Sequence, residues 1–370
     1  MPDAALQTLV DTVRSAAARA TPLRILGGGT KEVLARSLEG EPLPTSGLTG
    51  IVAYEPSELV VTVRAGTALA ELEAALAAQG QCLPFEPPRF APGGTVGGMV
   101  ASALSGPARA SVGAVRDYVL GLELVNGRGE ALTFGGQVMK NVAGYDVSRL
   151  MAGAWGTLGV ITAVSLKVLP VAPAEATLTF QCDQAEALRR LNRWGGQPLP
   201  LNASCWVEDA GIGTLFLRLR GAAAAVEAAC RTLGGERQEN AKAAPDWVAC
   251  RDHRLPWFAD RPAAHGLWRL SVPQTAPVLA LPPGLGAPLV EWHGGQRWVQ
   301  AGVEHASALR EAASEVGGHA TLFIAGDGQP AMEIDRFEPL KAPLDRIHRR
   351  LKAEFDPAGL FNRGRLYAAF

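Results

Sequence analysis

The chain has 370 residues, 48% of them hydrophobic and 19% charged, and its formal net charge is −1. This length exceeds what one hydrophobic core usually supports, so the sequence predicts two domains of an ordered globular protein. Without a concentrated run of Lys and Arg, a nucleic-acid partner is disfavoured. Five cysteines lie apart with no CxxC pair. They predict reduced thiols in the cytoplasm and disfavour an iron–sulfur cluster or a structural zinc in this chain.

The first twenty residues combine apolar positions with Asp11 and Arg14 at helical spacing, without a continuous apolar segment. This pattern predicts a surface helix and argues against a signal peptide. No apolar run of 18 residues occurs elsewhere in the sequence. We therefore expect no direct membrane span, and any membrane association would be made through partners.

A first glycine loop follows the short apolar run Leu23-Arg24-Ile25-Leu26, which is typical of a strand. The next five residues are Gly27, Gly28, Gly29, Thr30 and Lys31. Glycines let a backbone approach a phosphate closely, while Thr30 offers a hydroxyl donor and Lys31 a positive charge. A flexible turn explains the glycines equally well at this point. The spacing matches neither a Walker A loop nor a Rossmann fingerprint.

Strands are predicted at 51–54 and 59–64 and a helix at 68–79, and a second stretch of small residues then runs from Ala91 to Val112. Glycine, alanine, serine and threonine dominate this stretch, so it cannot build a core of its own. Its backbone can instead approach a ligand closely and direct N–H groups at it. We interpret the ligand as the pyrophosphate of a flavin dinucleotide.

The rest of the chain alternates strands and helices. The sequence predicts a hairpin over 119–134, a short helix over 146–151, a strand over 160–169 and a domain boundary near 170–173. From 176 to 233 the predicted order is β-α-β-β-α, as in a ferredoxin-like unit, and strands continue to 324. A basic amphipathic helix over 340–355 is predicted either to be solvated or to contact a partner subunit.

Several segments together carry a resemblance to a known family. They are Glu86–Pro88, Thr95–Val100, Gly106–Gly121, Phe134–Asp146, Gly317–Gly328 and the tail Phe355–Leu366. With these segments the chain resembles, over nearly its whole length, flavoproteins with a vanillyl-alcohol-oxidase-type (PCMH-type) FAD-binding domain. Within the D-2-hydroxyacid dehydrogenase branch, it is most similar to the FAD-binding E subunits of bacterial glycolate oxidases (glycolate dehydrogenases).

The resemblance implies an α+β fold. A PCMH-type FAD-binding domain of two α+β subdomains is expected at 1–172. A ferredoxin-like α+β cap domain, the FAD-linked oxidase C-terminal domain, is expected at 173–337. The C-terminal helix and tail at 338–370 are expected to pack back on the FAD domain and return to the flavin.

The resemblance also implies which residues contact FAD. The first loop supplies Gly27, Gly28, Gly29, Thr30 and Lys31. The second supplies Pro92, Gly93, Gly94, Thr95, Gly97 and Gly98, continued by Ser102, Gly106, Gly113 and Asp117. Val160 and Ile161 contribute backbone groups, and Asn362 and Arg365 come from the tail. Covalent relatives attach the flavin through a histidine in the first loop, but the first histidine here is His253, so we expect FAD to be non-covalent.

The function implied is that of an FAD-dependent oxidoreductase acting on CH–OH groups. The chain would serve a complex that oxidises glycolate, a small 2-hydroxy acid, to glyoxylate, together with a catalytic flavoprotein subunit and an iron–sulfur subunit that receives the electrons. A stand-alone FAD-dependent D-2-hydroxyacid dehydrogenase and a catalytically silent scaffolding flavoprotein remain alternatives.

Two further expectations concern the substrate side. The family's metal-binding strand end, H-x-G-D-G-N-x-H, is replaced here by Ala-Gly-Asp-Gly-Gln-Pro at 325–330, so we expect no metal in this chain. The candidates for catalytic side chains are Arg116, Lys140 and His319. Solvation explains Arg116 and Lys140 equally well, and packing in the core is the simpler explanation for His319.

Overall fold

The computed structural model of the protein describes residues 4–34, 39–136, 146–328 and 335–368. Its strands are β1 (Leu23–Leu26), β2 (Glu41–Pro44), β3 (Ile51–Glu55), β4 (Val60–Arg64), β5 (Gln81–Cys82), β6 (Val119–Val125), β7 (Ala131–Gly135), β8 (Val160–Lys167), β9 (Leu169–Pro170), β10 (Ala174–Gln181), β11 (Leu201–Asp209), β12 (Ile212–Gly221), β13 (Glu236–Gln238), β14 (Gly266–Ser271), β15 (Leu289–Glu291), β16 (Gln296–Ala301) and β17 (His319–Ile324).

Its helices are α1 (Ala4–Arg19), α2 (Leu69–Ala77), α3 (Val96–Ser102), α4 (Arg109–Val112), α5 (Val115–Tyr118), α6 (Val147–Met151), α7 (Gln184–Gly195), α8 (Ala223–Leu233), α9 (Asn240–Arg251), α10 (Pro256–Ala259), α11 (Ala306–Glu315) and α12 (Leu344–Phe355). Within the described ranges, none of the helices is long and apolar enough to cross a lipid bilayer.

The chain divides into two compact units. The first contains Met1–Leu104, Ala114–Val171 and Pro339–Phe370, and the second contains Ser105–Gly113 and Ala172–Glu338. The segment Ser105–Gly113 groups with the second unit, although the sequence alone placed it in the FAD domain. Its tertiary contacts explain the difference, because the Trp292 indole N–H donates to the Gly106 carbonyl at 3.0 Å.

The first unit is built on a five-stranded antiparallel sheet in the order β3-β4-β8-β6-β7. Its main core packs Leu72, Leu76 and Val100 against Val164 of β8. A second core forms where α1 covers the parallel pair β1-β2, and there Leu23 contacts Phe361 from the C-terminal segment. The two cores match the expected pair of α+β subdomains.

The second unit is an eight-stranded antiparallel sheet in the order β13-β10-β12-β11-β15-β16-β14-β17. Its first four strands follow the ferredoxin-like order fourth-first-third-second, with α7 and α8 as the connecting helices. Read from the opposite edge of the sheet, the last four strands, β17-β14-β16-β15, repeat that order. In this half β14 and β15 are joined by a Pro/Gly-rich loop, whereas the first half has α7 at the same place. The predicted ferredoxin-like unit is therefore confirmed and occurs twice, joined by antiparallel pairing of β11 with β15.

The sequence missed helix α3, because two of its seven residues are glycine and glycine disfavours helix interiors by about 1 kcal/mol each. Two contacts explain why it forms. The Thr95 hydroxyl caps it by accepting a hydrogen bond from the Gly98 N–H at 3.2 Å. A Cβ at Gly97 would lie 2.8 Å from the Ala65 Cβ, so glycine lets α3 approach the end of β4 closely.

Candidate functional site

A cleft in the first unit gathers most of the residues predicted to bind FAD. It encloses about 820 Å³, including its open mouth. The predicted residues that line it are Gly27, Gly28, Gly29, Thr30, Lys31, Thr95, Gly97, Gly98, Ser102, Ile161, Asn362 and Arg365. Residues far apart in sequence thus converge on one site from β1, α3, β8 and the C-terminal segment.

The two glycine loops meet backbone to backbone beside this cleft. A Cβ on Gly28 would overlap the carbonyl oxygen of Gly93, and a Cβ on Gly27 would lie 2.5 Å from the Thr95 hydroxyl oxygen. Gly93 itself has φ of +88°, a left-handed conformation that favours glycine. The glycines are therefore required by geometry, and they leave backbone groups unshielded by side chains. Such a surface fits the close approach of a diphosphate.

The charges of the cleft also fit an anion. Arg24, Lys31 and Arg365 line it, with Glu32 as an acidic neighbour whose carboxylate lies 3.8 Å from the Arg24 guanidinium. Burial lowers the pKa of Lys31 to about 8. In the described part of the chain, the buried Nε of Arg24 has no hydrogen-bond partner. A desolvated lysine and an unsatisfied guanidinium nitrogen are both stabilised when an anion enters.

The C-terminal segment closes one side of the cleft. The Asn362 side chain accepts a hydrogen bond from the Ile25 N–H at 2.9 Å and donates one to the Trp155 carbonyl at 2.8 Å. Arg365 donates to the Lys31 carbonyl at 3.1 Å, and its guanidinium lies 4.8 Å from the centre of the Trp155 ring. Asn362 and Arg365 thus connect the first glycine loop to the turn that carries Trp155.

Some predicted residues of the first unit lie beside the cleft or away from it. Pro92, Gly93 and Gly94 belong to the loop before α3, and Gly94 accepts a hydrogen bond from the Leu69 N–H at 2.8 Å. Val160 is buried in the core beneath α1. The Asp117 carboxylate caps α5 by accepting from the Ala114 N–H at 2.8 Å.

The remaining predicted residues belong to the second unit, are exposed, or lie outside the described residues. Gly106 and Gly113 belong to the second unit. Arg116 is exposed on α5, and Lys140 lies outside the described residues. His319 begins β17 with an exposed side chain. Partial desolvation and then Arg269 lower the pKa of His319, whereas Glu338 raises it.

Arg24 and Trp155 are among the side chains of the cleft that sequence reasoning missed. Trp155 has φ of +53°, and its N–H donates to the Ala101 carbonyl at 2.8 Å, which fixes its turn against α3. The glycines on both sides of it, Gly153 and Gly156, were the available signal. Arg24 lies inside an otherwise apolar strand, and that exception to the pattern was the signal for it.

No group of three or more His, Cys, Asp and Glu side chains comes together in a metal-binding arrangement among the residues that the structure describes. The strand end that replaces the family's metal motif is described only as far as Gly328, since Gln329 and Pro330 lie outside the described ranges. Asp327 there donates its backbone N–H to the Ala263 carbonyl at 2.7 Å.

Comparison with known proteins agrees with the cleft. Residues 4–135 match the family described as FAD binding domain, which supports FAD as the cofactor. Over 362 residues the chain is 44% identical to glycolate oxidase subunit GlcE of Escherichia coli (strain K12), covering 98% of this chain and 97% of that protein. The chain belongs to the family of this glycolate oxidase subunit.

Two further comparisons extend this result. The chain is 30% identical over 174 residues to glycolate oxidase subunit GlcD of Bacillus subtilis (strain 168), covering 45% of this chain and 36% of that protein. The solved structure of alkyldihydroxyacetonephosphate synthase superimposes with a TM-score of 0.63 at 15% identity, covering 96% of this chain and 75% of that one. The expected fold class, cofactor and enzyme class are confirmed.

Proposed function

We propose that this protein is the FAD-binding subunit of a multi-subunit glycolate oxidase that converts glycolate to glyoxylate. The observation that carries the proposal is the near-full-length similarity to a subunit named for that activity, in a chain whose glycine loops and cations converge on one cleft. Partial similarity to a second glycolate oxidase subunit fits a complex assembled from related flavoproteins.

In this proposal the cleft binds FAD through the residues named from the sequence. The loop Gly27–Lys31 and the segment Pro92–Gly98, which includes the start of α3, would receive the diphosphate, with Arg24 and Lys31 balancing its charge. Asn362 and Arg365 would close the site from the C-terminal side. When bound, FAD supplies the acceptor for the hydride that leaves C2 of glycolate, while the hydroxyl proton leaves to a base and glyoxylate results.

The base and the carboxylate-binding cation are assigned here to a partner flavoprotein subunit. Oxidising a 2-hydroxy acid needs both groups near the reacting carbon. In this chain Ala-Gly-Asp-Gly-Gln-Pro at 325–330 replaces the family's histidine-containing strand end, and the candidate Arg116 is exposed on α5. The three cations of the cleft, Arg24, Lys31 and Arg365, are assigned to the cofactor in this proposal.

The electrons are proposed to leave through an iron–sulfur partner subunit. The five cysteines are free thiols, and Cys205 and Cys250 among them are buried. Cys205 and Cys250 are neighbours, but an iron–sulfur cluster is held by four thiolates, and the described residues contain no metal-binding group of even three His, Cys, Asp or Glu side chains. We therefore expect a cytoplasmic complex, joined to any membrane through its partners.

Spectroscopy of the purified chain, alone and with its partner subunits, tests this function. We expect a yellow protein whose flavin is bleached by glycolate only after the partners are added. Bleaching by glycolate without partners would instead establish a stand-alone dehydrogenase. A colourless chain that FAD cannot reconstitute would contradict both enzyme functions.

Acid precipitation tests the mode of FAD attachment separately. Because the sequence has no histidine before His253, we expect the flavin colour to remain in the supernatant after precipitation. Colour in the washed pellet would contradict non-covalent binding.

A further inference from the structure

Lys352 is a buried lysine on a basic helix, and its hydrogen bonds connect two segments that meet at the cleft. Helix α12 exposes Arg346, Arg349 and Arg350, whereas Lys352 is only 6% exposed. Its ammonium has three N–H donors and three acceptors within reach. These are the Asp356 carboxylate at 2.7 Å, the Thr157 carbonyl at 2.7 Å and the Phe361 carbonyl at 3.0 Å. All of its donors are thereby used.

The partner carboxylate, Asp356, is equally well satisfied. It is 1% exposed, and besides Lys352 it accepts the backbone N–H groups of Leu360 and Phe361, both at 2.8 Å. The carboxylate packs against Gly127, where a Cβ would lie 2.6 Å from its Oδ1. These bonds fold the chain after α12 into a tight turn that directs it toward β1.

The turn delivers the C-terminal segment to the cleft in a fixed register. The Leu23 N–H donates to the Leu360 carbonyl at 2.8 Å, and the Asn362 N–H donates to the Leu23 carbonyl at 3.0 Å. Asn362 therefore lies at the end of β1, where its side-chain amide accepts a hydrogen bond from the Ile25 N–H and donates one to the Trp155 carbonyl. If the pairing of the C-terminal segment with β1 shifted by one residue, the side-chain amide of Asn362 would no longer lie at the cleft.

The opposite side of the cleft is held by the same ammonium. Thr157, whose carbonyl Lys352 binds, directly follows the lining residues Trp155 and Gly156. A Cβ at Gly156 would lie 2.6 Å from the Asn362 amide nitrogen, so the turn and the C-terminal segment are in direct contact. A single buried cation thus connects two parts of the chain, residues 155–157 and 360–362, that meet at the cleft.

We propose that Lys352 and Asp356 are positioning residues for FAD: they hold the Trp155–Thr157 turn and Asn362 at the spacing that the cofactor requires. This inference rests on FAD occupying the cleft, and it is independent of which substrate is oxidised. Burying an ion pair contributes little net stability, because desolvation offsets the attraction between the charges. A role in setting geometry accounts for the buried pair better than a role in stability does.

The test compares Lys352→Met with Arg350→Met, an exposed position of the same helix, in the full-length chain. Apoprotein is titrated with FAD, and its thermal midpoint is measured without FAD. We expect Lys352→Met to raise the Kd for FAD about tenfold or more and to change the shape of the bound-flavin visible band, since a charge-assisted bond is lost. Arg350→Met should stay within about twofold of wild type.

Lys352→Arg should recover part of the affinity, because an arginine restores the charge and its donors. A folded Lys352→Met protein with unchanged Kd and flavin spectrum would overturn the proposal. Loss of FAD binding in wild type as well would contradict the assignment of the cleft, which is a different failure.

Hydrogen exchange on the wild-type chain decides the matter if Lys352→Met does not fold. The backbone amides of Leu360, Phe361 and Asn362 should exchange about tenfold more slowly when FAD is bound, because the cofactor and the buried pair stabilise the same segment. Amides of the β11–β12 hairpin in the second unit should be unaffected. Equal exchange with and without FAD at 360–362 would overturn the proposal.

Discussion

Each of the two units carries a cavity, and the cavities differ in what they are made of. The cleft of the first unit is lined by glycines, backbone and three cations. The cavity of the second unit is lined by full-sized side chains such as Trp247, Trp257 and Phe216, with carboxylates such as Asp246 and Asp260 among its lining residues. Including open mouths, the second is the larger, at about 1330 Å³ against about 820 Å³.

Volume alone would therefore favour the wrong cavity for a dinucleotide. A diphosphate needs unshielded N–H groups and a surplus of positive charge, which the first cavity offers. The second cavity has Lys242 against the carboxylates of Glu208, Asp209, Asp246 and Asp260. The proposed cofactor site is thus distinguished by small residues, positive charge and exposed backbone, and not by its volume.

The substitution with the largest expected effect on FAD binding adds one methyl group to the first cleft. In Gly28→Ala the new Cβ would overlap the Gly93 carbonyl, so the two loops must separate. We expect the Kd for FAD to rise about a hundredfold, in line with the 1–3 kcal/mol that overpacking costs. FAD content after purification and titration of the apoprotein measure the effect.

Gly195→Ala is the matched control, since a Cβ there meets nothing within 4 Å in the second unit. It should leave the affinity for FAD unchanged. A Gly28→Ala protein that retains FAD with wild-type affinity would show that the contact of the two loops does not form the cofactor site.

The second prediction concerns the charge of Lys31. Burial lowers the pKa of this side chain to about 8. Binding an anion favours the charged lysine, so above pH 8 the binding of FAD must be accompanied by uptake of a proton. Affinity is therefore lost as the pH rises. Between pH 7 and pH 9.5 we expect the Kd to increase about thirtyfold, measured by fluorescence titration.

Lys31→Met should bind FAD more weakly at pH 7 and with little further dependence on pH. If the wild-type Kd were constant up to pH 9.5, Lys31 would not be one of the groups that balance the diphosphate charge.

The third prediction removes the amide that connects the two sides of the cleft. Asn362→Ala loses its bonds to Ile25 and Trp155, and each neutral hydrogen bond contributes about 0.5–1.5 kcal/mol. We expect the Kd for FAD to rise about tenfold. The unfolding midpoint of the apoprotein, measured in parallel, separates this effect from a general loss of stability.

The two units also differ in how far sequence alone could describe them. The loops Gly27–Lys31 and Pro92–Gly98 were predicted because a run of small residues is a local signal that needs no tertiary information. Most strands and helices of the second unit were predicted from ordinary periodicity, and the ferredoxin-like order followed from their succession. The exceptions are β13, α9 and α10, between 236 and 259. Its repetition after β14 was hidden because a loop stands where the first half has a helix.

What could not be predicted depends on contacts between distant residues. Arg24 and Trp155 become part of the cleft only when β1 and the turn before β8 come together. Lys352 was grouped with the exposed cations of a basic helix, because helical periodicity cannot show that Thr157 and Phe361 supply acceptors. The segment Ser105–Gly113 continues a glycine-rich run in sequence, yet its contacts with Trp292 and His293 assign it to the second unit.

The smallest expected effect concerns the cavity of the second unit. The exposed carboxylates of Asp246 and Asp260 line this cavity, and neither lines the cleft to which we assign FAD. Asp246→Asn combined with Asp260→Asn should therefore leave the Kd for FAD within about twofold of wild type. If FAD occupied this cavity instead, removing two negative charges would tighten binding markedly, and the double variant would identify the second unit as the site. Titration at low ionic strength, where such charges act most strongly, makes the comparison sharpest.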